Sequence, residues 1–338
     1  MADSGGHWLN LAEVQKLTQS TLLPGVIDES PKRGGVITEL GLKQAPGQDI
    51  KWNRSNARRS GRRANIGAVL TWADNVTYVQ KTATLKMFYD QTPLNKFVRD
   101  VYGTINNYEA QQLLEIRTGI VETLEDAFVY DDSDYDTTHI EGLYHWAVDN
   151  SGDGDIDGGE TALTFANWRA LTDFMKYGIS FYLMAYSLAR FIDQFYQESG
   201  PAVSNLSTVG SFIWAPGDAG RPVPFWNGTP IRRTDYLVSE EPNTGHGSDA
   251  RAKNSGGTAV YSILGIKSGV GGDMDPGLNI GFGGENNGEG ELFRPTRFET
   301  LEDFDAAGLR MTSYVALMAG SALSVTKIDD LTLAIPTA

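Results

Sequence analysis

One long stretch with helical periodicity constrains the fold more than any other feature of this chain. Residues 106–130, NNYEAQQLLEIRTGIVETLEDAFVY, contain no proline. Asn106 or Asn107 can cap the first turn, and Glu109 suits the positive end of the helix dipole. The apolar residues share one stripe of the helix: Leu113, Ile116, Ile120, Leu124, Ala127 and Phe128. At 1.5 Å per residue the helix spans roughly 35 Å. A helix of this length with a narrow apolar stripe is predicted to lie across a sheet.

Length and composition indicate a soluble globular protein. The 338 residues allow a substantial core, and two domains are the expectation. Hydrophobic residues make up 41% and charged residues 21%, which is typical of a folded chain. No run of about 18 apolar residues occurs, so no membrane-spanning helix is predicted. Residues 1–14 lack the features of a secretory signal. The absence of cysteine excludes disulfides and thiolate metal sites.

The formal net charge of −15 bears on what the surface can bind. The simpler interpretation is that this charge keeps the protein soluble. The more specific interpretation is that it prevents the surface from binding nearby nucleic acid. Either way, a sequence-reading DNA-binding protein is disfavoured.

The N-terminal third alternates between short periodic segments and turns. Residues 8–19 predict a short amphipathic helix that docks on another surface, with a neighbouring subunit as one candidate. Residues 37–40, 76–79 and 82–85 alternate like strands. Between them, residues 51–65 are almost free of apolar side chains and predict the tip of a long hairpin. The tip carries Lys51, Arg54, Arg58, Arg59, Arg62 and Arg63.

Three interpretations of this basic tip remain open. It can be a solvated loop. It can be a nucleic-acid patch, although Trp52 is its only aromatic residue. It can be an arm that contacts an acidic surface on a neighbouring subunit, which the strongly negative remainder of the chain favours.

Residues 149–160, DNSGDGDIDGGE, resemble an EF-hand calcium loop. The candidate ligands are Asp149, Ser151, Asp153, Asp155 and Glu160. Gly154 provides the sharp turn. The third position is Ser, a weaker ligand than Asp, and residues 137–148 do not predict a helix before the loop. The alternative is an acidic surface loop that binds nothing. Any calcium here would be structural.

A second acidic segment, residues 130–136, follows the long helix, where the helix dipole disfavours carboxylates. A bound cation or a basic partner would offset this cost. His139 and His145 can join Asp136 in a metal site, but two solvent-facing histidines are the favoured interpretation.

The remainder predicts further helices and short strands. Thr164 caps a helix predicted to end at Gly178, and residues 187–200 predict another. Strands are predicted within 212–216, 222–233, 235–238, 256–272, 297–301, 308–311 and 321–328. Residues 281–290 predict a flexible loop.

A search for catalytic motifs finds none. The chain lacks H-E-x-x-H, G-x-S-x-G and the P-loop pattern, and no G-x-G-x-x-G opens a helix. We therefore predict that the protein is not an enzyme.

The order of these segments resembles the major capsid proteins of tailed bacteriophages. The likeness is carried by the N-terminal arm, the long hairpin at 30–85, the helix at 106–130 and residues 140–143. It continues through residues 162–164, the segment 225–232 with Asp235, the strand at 256–265 and the closing pattern from 297 to 328. The chain lacks a long scaffold-like N-terminal segment.

The resemblance implies an α+β fold of the Hong Kong 97 type. The implied parts are an N-terminal arm (1–30), an extended loop (31–88), a peripheral domain with a long spine helix (89–180 and 291–338) and an axial domain (181–290). The implied function is self-assembly into pentamers and hexamers of an icosahedral shell around double-stranded DNA, which is enclosed without sequence-specific binding.

The implied partners are copies of the chain itself, a portal, a scaffolding protein and a cement protein, with no membrane. The implied location is the virion, after assembly in the host cytoplasm. No cofactor is required, with calcium as the one candidate. The implied inter-subunit contacts are Arg54, Arg58, Arg59, Arg62 and Arg63. Two alternatives stay open, an encapsulin-type compartment and a monomeric calcium-dependent adhesin module.

Overall fold

A computed structural model of the chain describes residues 31–55, 60–70, 72, 78–97, 108–149, 154–198, 212–216, 222–244, 249–272, 274–283, 292–299 and 306–336. The predicted helix at 8–19 and residues 284–290 of the predicted loop at 281–290 lie outside these residues, and residues 281–283 of that loop instead end a strand. The helices are α1 (Tyr108–Tyr130), α2 (Leu143–Asp149), α3 (Phe165–Phe174) and α4 (Tyr186–Glu198).

The strands run from residue 41 to residue 331. They are β1 (Gly41–Ala45), β2 (Asp49–Ser55), β3 (Tyr78–Thr84), β4 (Lys86–Asn95), β5 (Asp155–Thr161), β6 (Phe181–Ala185), β7 (Phe212–Pro216), β8 (Pro222–Trp226), β9 (Thr229–Thr234), β10 (Tyr261–Ile266), β11 (Leu278–Gly283), β12 (Arg294–Phe298), β13 (Ala306–Ala319) and β14 (Val325–Leu331).

The first sheet is built around β13. Strand β4 pairs with β13 in antiparallel register from Ala306↔Asn95 to Val315↔Lys86. Strands β12 and β11 follow one another along the opposite edge, and β1 adds to β11 in parallel. The predicted long helix is confirmed as α1, and it packs against β4 and β13. Ile116, Ile120 and Leu124 are at most 4% exposed, so the predicted stripe is the buried face.

The second sheet has the strand order β5-β14-β10-β6-β9-β8-β7. Its central strand β6 is buried at every position, because α3 and α4 pack beside it. The Thr164 hydroxyl accepts a hydrogen bond from the Asn167 N–H and caps α3 as predicted. Trp168 stacks on Trp226 with ring centroids 4.8 Å apart, and this pair forms the centre of the second core.

A third, two-stranded sheet consists of β2 and β3 alone. Its register runs from Asp49↔Thr84 to Ser55↔Tyr78, so the predicted long hairpin is confirmed. The base of the hairpin packs on β13, where Ile50 and Ala83 join Ala316 and Met318 in a small apolar cluster.

Several local predictions were wrong. Residues Ile37–Glu39 form a 3₁₀ turn and not a strand, because Glu125 holds the amide groups at its start. Helix α3 ends four residues before Gly178, since the C-cap residue has ψ of 73°. Residues 235–238 belong to no strand.

The prediction that residues 137–148 contain no helix was also wrong. Helix α2 begins immediately after Gly142, so this glycine does not interrupt it. A β-carbon at Gly142 would lie 2.8 Å from the Asp131 carbonyl oxygen, which explains why the chain has glycine where α2 begins close to the end of α1.

Candidate functional site

The β2–β3 hairpin has a highly exposed apolar tip. At its tip, Ile66, Val69, Leu70 and Trp72 are each 78% or more exposed. The Arg62 guanidinium donates to the Trp72 carbonyl oxygen at 3.2 Å, and Arg63 is exposed. Arg58 and Arg59 lie outside the described residues. Apolar side chains gathered on a surface next to arginines are typical of a protein-binding site.

Arg54 differs from the other predicted contact residues. Its Nε donates to the Gly320 carbonyl oxygen at 3.1 Å, and another guanidinium nitrogen donates to the Ala319 carbonyl oxygen. The guanidinium also lies 5.5 Å from the ring centroid of Trp146. Because these contacts are all within one chain, Arg54 anchors the hairpin to its own subunit. Its predicted role between subunits stays a prediction.

The exposed face of α1 is a second candidate surface. Leu114 is 55% exposed and lies between two shallow grooves. One groove, of about 290 Å³, also contains Pro31, Val121 and Tyr236. The other, of about 490 Å³, is lined by Leu113, Phe293, Pro295 and Met311, among others. An apolar residue between grooves gives this face a shape that an apolar side chain of a partner can fill.

The segment that leads to the hairpin is held by a buried carboxylate. Glu125 of α1 is 3% exposed. Its Oε2 accepts from the Val36 N–H at 2.6 Å and its Oε1 from the Ile37 N–H at 3.1 Å. Burial raises the pKa of Glu125, and the two amide donors partly oppose this. Glu125 thereby fixes the start of the described chain to α1, the spine helix.

A buried network of charges joins the spine helix to the second sheet. Glu240 is fully buried and accepts hydrogen bonds from the hydroxyls of Tyr130, Tyr144 and Ser262. Arg251 pairs with Glu240, Asp329 and Asp330. Burial raises the pKa of Glu240, while the hydroxyl donors and Arg251 oppose the shift. Because Glu240 is fully buried, this part of the network serves the fold, whereas Arg251 also lines an open cavity of about 650 Å³.

The structure changes the interpretation of the calcium-like loop. Residues Asp155–Thr161 form a strand that pairs in parallel with β14, so Glu160 does not begin an exit helix. Asp155 lies 3.1 Å from the Lys327 ammonium. The Glu160 carboxylate instead accepts from the Asn243 amide at 3.4 Å. The two carboxylates therefore have separate partners, and this part of the loop lacks EF-hand geometry.

The other candidate ligands lie at or beyond the end of α2. Ser151 and Asp153 lie outside the described residues, and Asp149 is the last residue of α2. Calcium binding by this loop stays a prediction.

The acidic turn after the spine helix contains carboxylate–histidine contacts that sequence reasoning missed. His139 Nδ1 lies 3.3 Å from an Asp131 oxygen, and His145 Nδ1 lies 3.1 Å from an Asp132 oxygen. The two histidine side chains are only 24% and 17% exposed, so their interpretation as solvent-facing was wrong. The sequence signal was the run of carboxylates after a helix C-terminus, where the helix dipole disfavours them.

No helix among the described residues combines the length and the apolar composition needed to cross a membrane.

The comparison with solved structures identifies the fold. The chain superposes on the holo-SrpI encapsulin complex from Synechococcus elongatus PCC 7942 with a TM-score of 0.63 and 13% identity, covering 98% of each chain. It matches the capsid of an empty GTA particle with a TM-score of 0.56 and 12% identity, over 95% of this chain and 98% of the other. It matches the capsid of the Cyanophage P-SCSP1u with a TM-score of 0.55 and 9% identity, over 93% of both chains.

Neither a family model nor a curated protein sequence matches the chain. The chain has the Hong Kong 97-type capsid fold, which confirms the predicted α+β class and architecture. The predicted domain boundaries stay a prediction.

Proposed function

We propose that this chain is a shell subunit that assembles with copies of itself into a closed particle. The observation that carries the proposal is the match over at least 93% of both chains to proteins described as an encapsulin and as capsids. Because the sequence identity is at most 13%, these matches support a shared fold only. Support for self-assembly must therefore come from the surfaces of this chain.

The hairpin supports assembly because the apolar side chains at its tip are exposed in the single chain. Trp72 is 98% exposed and Ile66 is fully exposed. An isolated two-stranded hairpin is marginally stable in water. Its base is secured by Arg54 and by the apolar cluster on β13, which leaves the tip available to a second copy. Four arginines at the tip meet a chain whose net charge is −15, and this complementarity favours contact between copies.

The finer proposal is the major capsid protein of a tailed phage. Pentamers and hexamers of this subunit form an icosahedral shell around double-stranded DNA, because rotational symmetry closes identical contacts into rings. Each subunit contacts several neighbours at once, so weak individual contacts sum to a stable shell. Net negative charge suits a container in which DNA is enclosed without adhering. Portal, scaffolding and cement proteins are the expected partners, the virion is the expected location, and no catalytic role is proposed.

The second candidate is an encapsulin-type compartment. It is favoured by the TM-score of 0.63 with the encapsulin complex, which exceeds the values for the two capsids above. The contents of purified particles separate the two functions. Nuclease-protected double-stranded DNA in particles from infected or induced cells supports a capsid, whereas one co-purifying protein cargo without DNA supports a compartment. A monomeric adhesin module, the third alternative, forms no particles.

A charge-reversal experiment tests the contact role of the hairpin. We expect the quadruple variant with Glu at Arg58, Arg59, Arg62 and Arg63 to elute as small species with an unchanged circular dichroism spectrum. Size-exclusion chromatography with light scattering measures the loss of particles.

The matched control for the double variant Arg62→Glu/Arg63→Glu is Arg169→Glu/Arg190→Glu, which changes the net charge by the same amount. Arg169 and Arg190 are exposed on α3 and α4. The control is expected to assemble. Normal particles from the quadruple variant would refute the proposed contact.

A further inference from the structure

Three ligand atoms converge beside the C-terminal end of the spine helix. They belong to Asp131, His139 and Asp249, and all lie within 4.8 Å of one another. The three residues come from separate segments. Asp131 directly follows α1, His139 lies in the turn before α2, and Asp249 forms an isolated antiparallel bridge with Asp131. A ligand held here would fasten the end of the spine helix to the segment that leads to Arg251.

The imidazole of His139 is the most informative member of this cluster. Its Nδ1 is buried and has no hydrogen-bond partner within the described part of the chain, although it lies 3.3 Å from an Asp131 oxygen. Its Nε2 faces the Asp136 carboxylate at 3.9 Å. If the Nε2 atom carries the proton, the Nδ1 lone pair points into the cluster. A histidine that ligates a metal commonly directs its other N–H toward a carboxylate in this way.

The separation of the His139 and Asp131 ligand atoms fits a small cation. Zinc binds histidine nitrogen and carboxylate oxygen at about 2.0–2.2 Å. In a tetrahedron with such bonds, neighbouring ligand atoms are roughly 3.4 Å apart. The His139–Asp131 separation of 3.3 Å matches this edge. One nitrogen and two carboxylate oxygens suit a first-row divalent cation with water in the remaining position.

The local charge also favours a cation. The Asp131 and Asp249 carboxylates have ligand oxygens within 4.8 Å of each other, so two negative charges face the same space. The nearest ammonium, Lys253, lies 2.7 Å from Asp126 and 3.9 Å from Asp249. Lys253 therefore neutralises Asp126 chiefly, which leaves Asp131 and Asp249 to share the histidine.

Two similar clusters lack these properties. In the cluster of Asp132, Asp134 and His145, the His145 Nδ1 is already hydrogen-bonded to Asp132 at 3.1 Å. In the cluster of Asp157, Asp329 and Asp330, the buried aspartates pair with Arg251 and Lys327. Of the three described clusters, the first combines a buried histidine nitrogen that makes no hydrogen bond with two carboxylates whose nearest ammonium, that of Lys253, is 3.9 Å from Asp249.

We propose that Asp131, His139 and Asp249 form a structural binding site for one divalent transition-metal ion, with Zn²⁺ as the probe that fits best. The ion links the C-terminal end of the spine helix to residue 249. Because metal binding selects the folded state, it raises the thermal stability of the subunit. The proposal concerns the subunit itself and does not depend on whether the subunit assembles.

Calorimetry on the full chain tests the site. Protein stripped with a chelator is titrated with ZnCl₂, and we expect one equivalent to bind with an accompanying rise in Tm. The variants His139→Asn and Asp249→Asn are expected to bind Zn²⁺ at least tenfold more weakly. His145→Asn is the matched control and is expected to bind like the parent chain.

A spectroscopic measurement guards against misfolding and stray sites. Co²⁺ in place of Zn²⁺ should give visible absorption bands of a tetrahedral nitrogen–oxygen site in the parent chain and in His145→Asn. The bands should be lost in His139→Asn, while its circular dichroism spectrum is unchanged. The proposal is overturned if the stripped parent chain binds no stoichiometric metal, or if His139→Asn retains the affinity and the bands.

Discussion

Replacement of Glu125 by alanine should loosen the segment that leads into the hairpin. In the native chain, this carboxylate accepts the Val36 and Ile37 amide protons at 2.6 and 3.1 Å. A hydrogen bond to a charged group contributes about 1.5–3 kcal/mol. Part of this gain is offset by the burial of the carboxylate, which its raised pKa reflects. We therefore expect the free energy of unfolding to fall by about 2–4 kcal/mol, since the buried Val36 amide loses its partner.

Urea unfolding of the unassembled subunit measures the loss, and amide hydrogen exchange locates it. Exchange at Val36 and Ile37 should accelerate roughly thirtyfold for a local loss of about 2 kcal/mol. Glu122→Ala is the matched control on the same helix. Glu122 makes only a half-exposed ion pair with Lys32 at 3.5 Å, so its loss should cost less than about 1 kcal/mol. Equal losses for the two variants, or unchanged exchange at Val36 in Glu125→Ala, would refute this reasoning.

Two further perturbations probe buried charged groups. Arg251→Ala should lower the free energy of unfolding by about 3–5 kcal/mol, because it leaves buried carboxylates unpaired, whereas the half-exposed Lys253→Ala should cost less than about 1 kcal/mol. Similar urea midpoints for these two variants would contradict the assignment of Arg251 to the network. The raised pKa of Glu125 predicts a pH effect. The folded state binds the proton more tightly, so the free energy of unfolding should decrease as pH rises from the ordinary value of 4.5 through the raised pKa. Glu125→Gln should flatten this dependence, and an unchanged pH profile in that variant would count against the shift.

Sequence periodicity correctly predicted the helices and strands that bury one apolar face. The helix stripe from Leu113 to Phe128 became the buried side of α1, and the Thr164 cap placed the start of α3 correctly. The strands β7 to β10 and β13 were also foreseen, because apolar runs between glycine and proline turns are local signals. Such signals depend only on residues near one another in the chain.

Contacts between distant segments could not be predicted in this way. Glu125 holds residues nearly ninety positions earlier, and this contact replaced a predicted strand by a 3₁₀ turn. The calcium-like spacing at 149–160 was overridden in part by pairing of β5 with β14, whose Lys327 takes up Asp155. Arg54 resembled the other arginines of the tip in sequence, yet its position beside the Gly320 carbonyl makes it an anchor. Tertiary pairing decided each of these cases.

Electron microscopy of the purified, expressed chain tests the central claim most directly. Negatively stained material should show closed particles of uniform diameter, and class averages should contain rings with fivefold and sixfold symmetry. The sample is examined at protein concentrations and ionic strengths across which shell proteins of this fold assemble. Single subunits alone under these conditions would contradict the proposal that the hairpin tip binds a second copy of the chain.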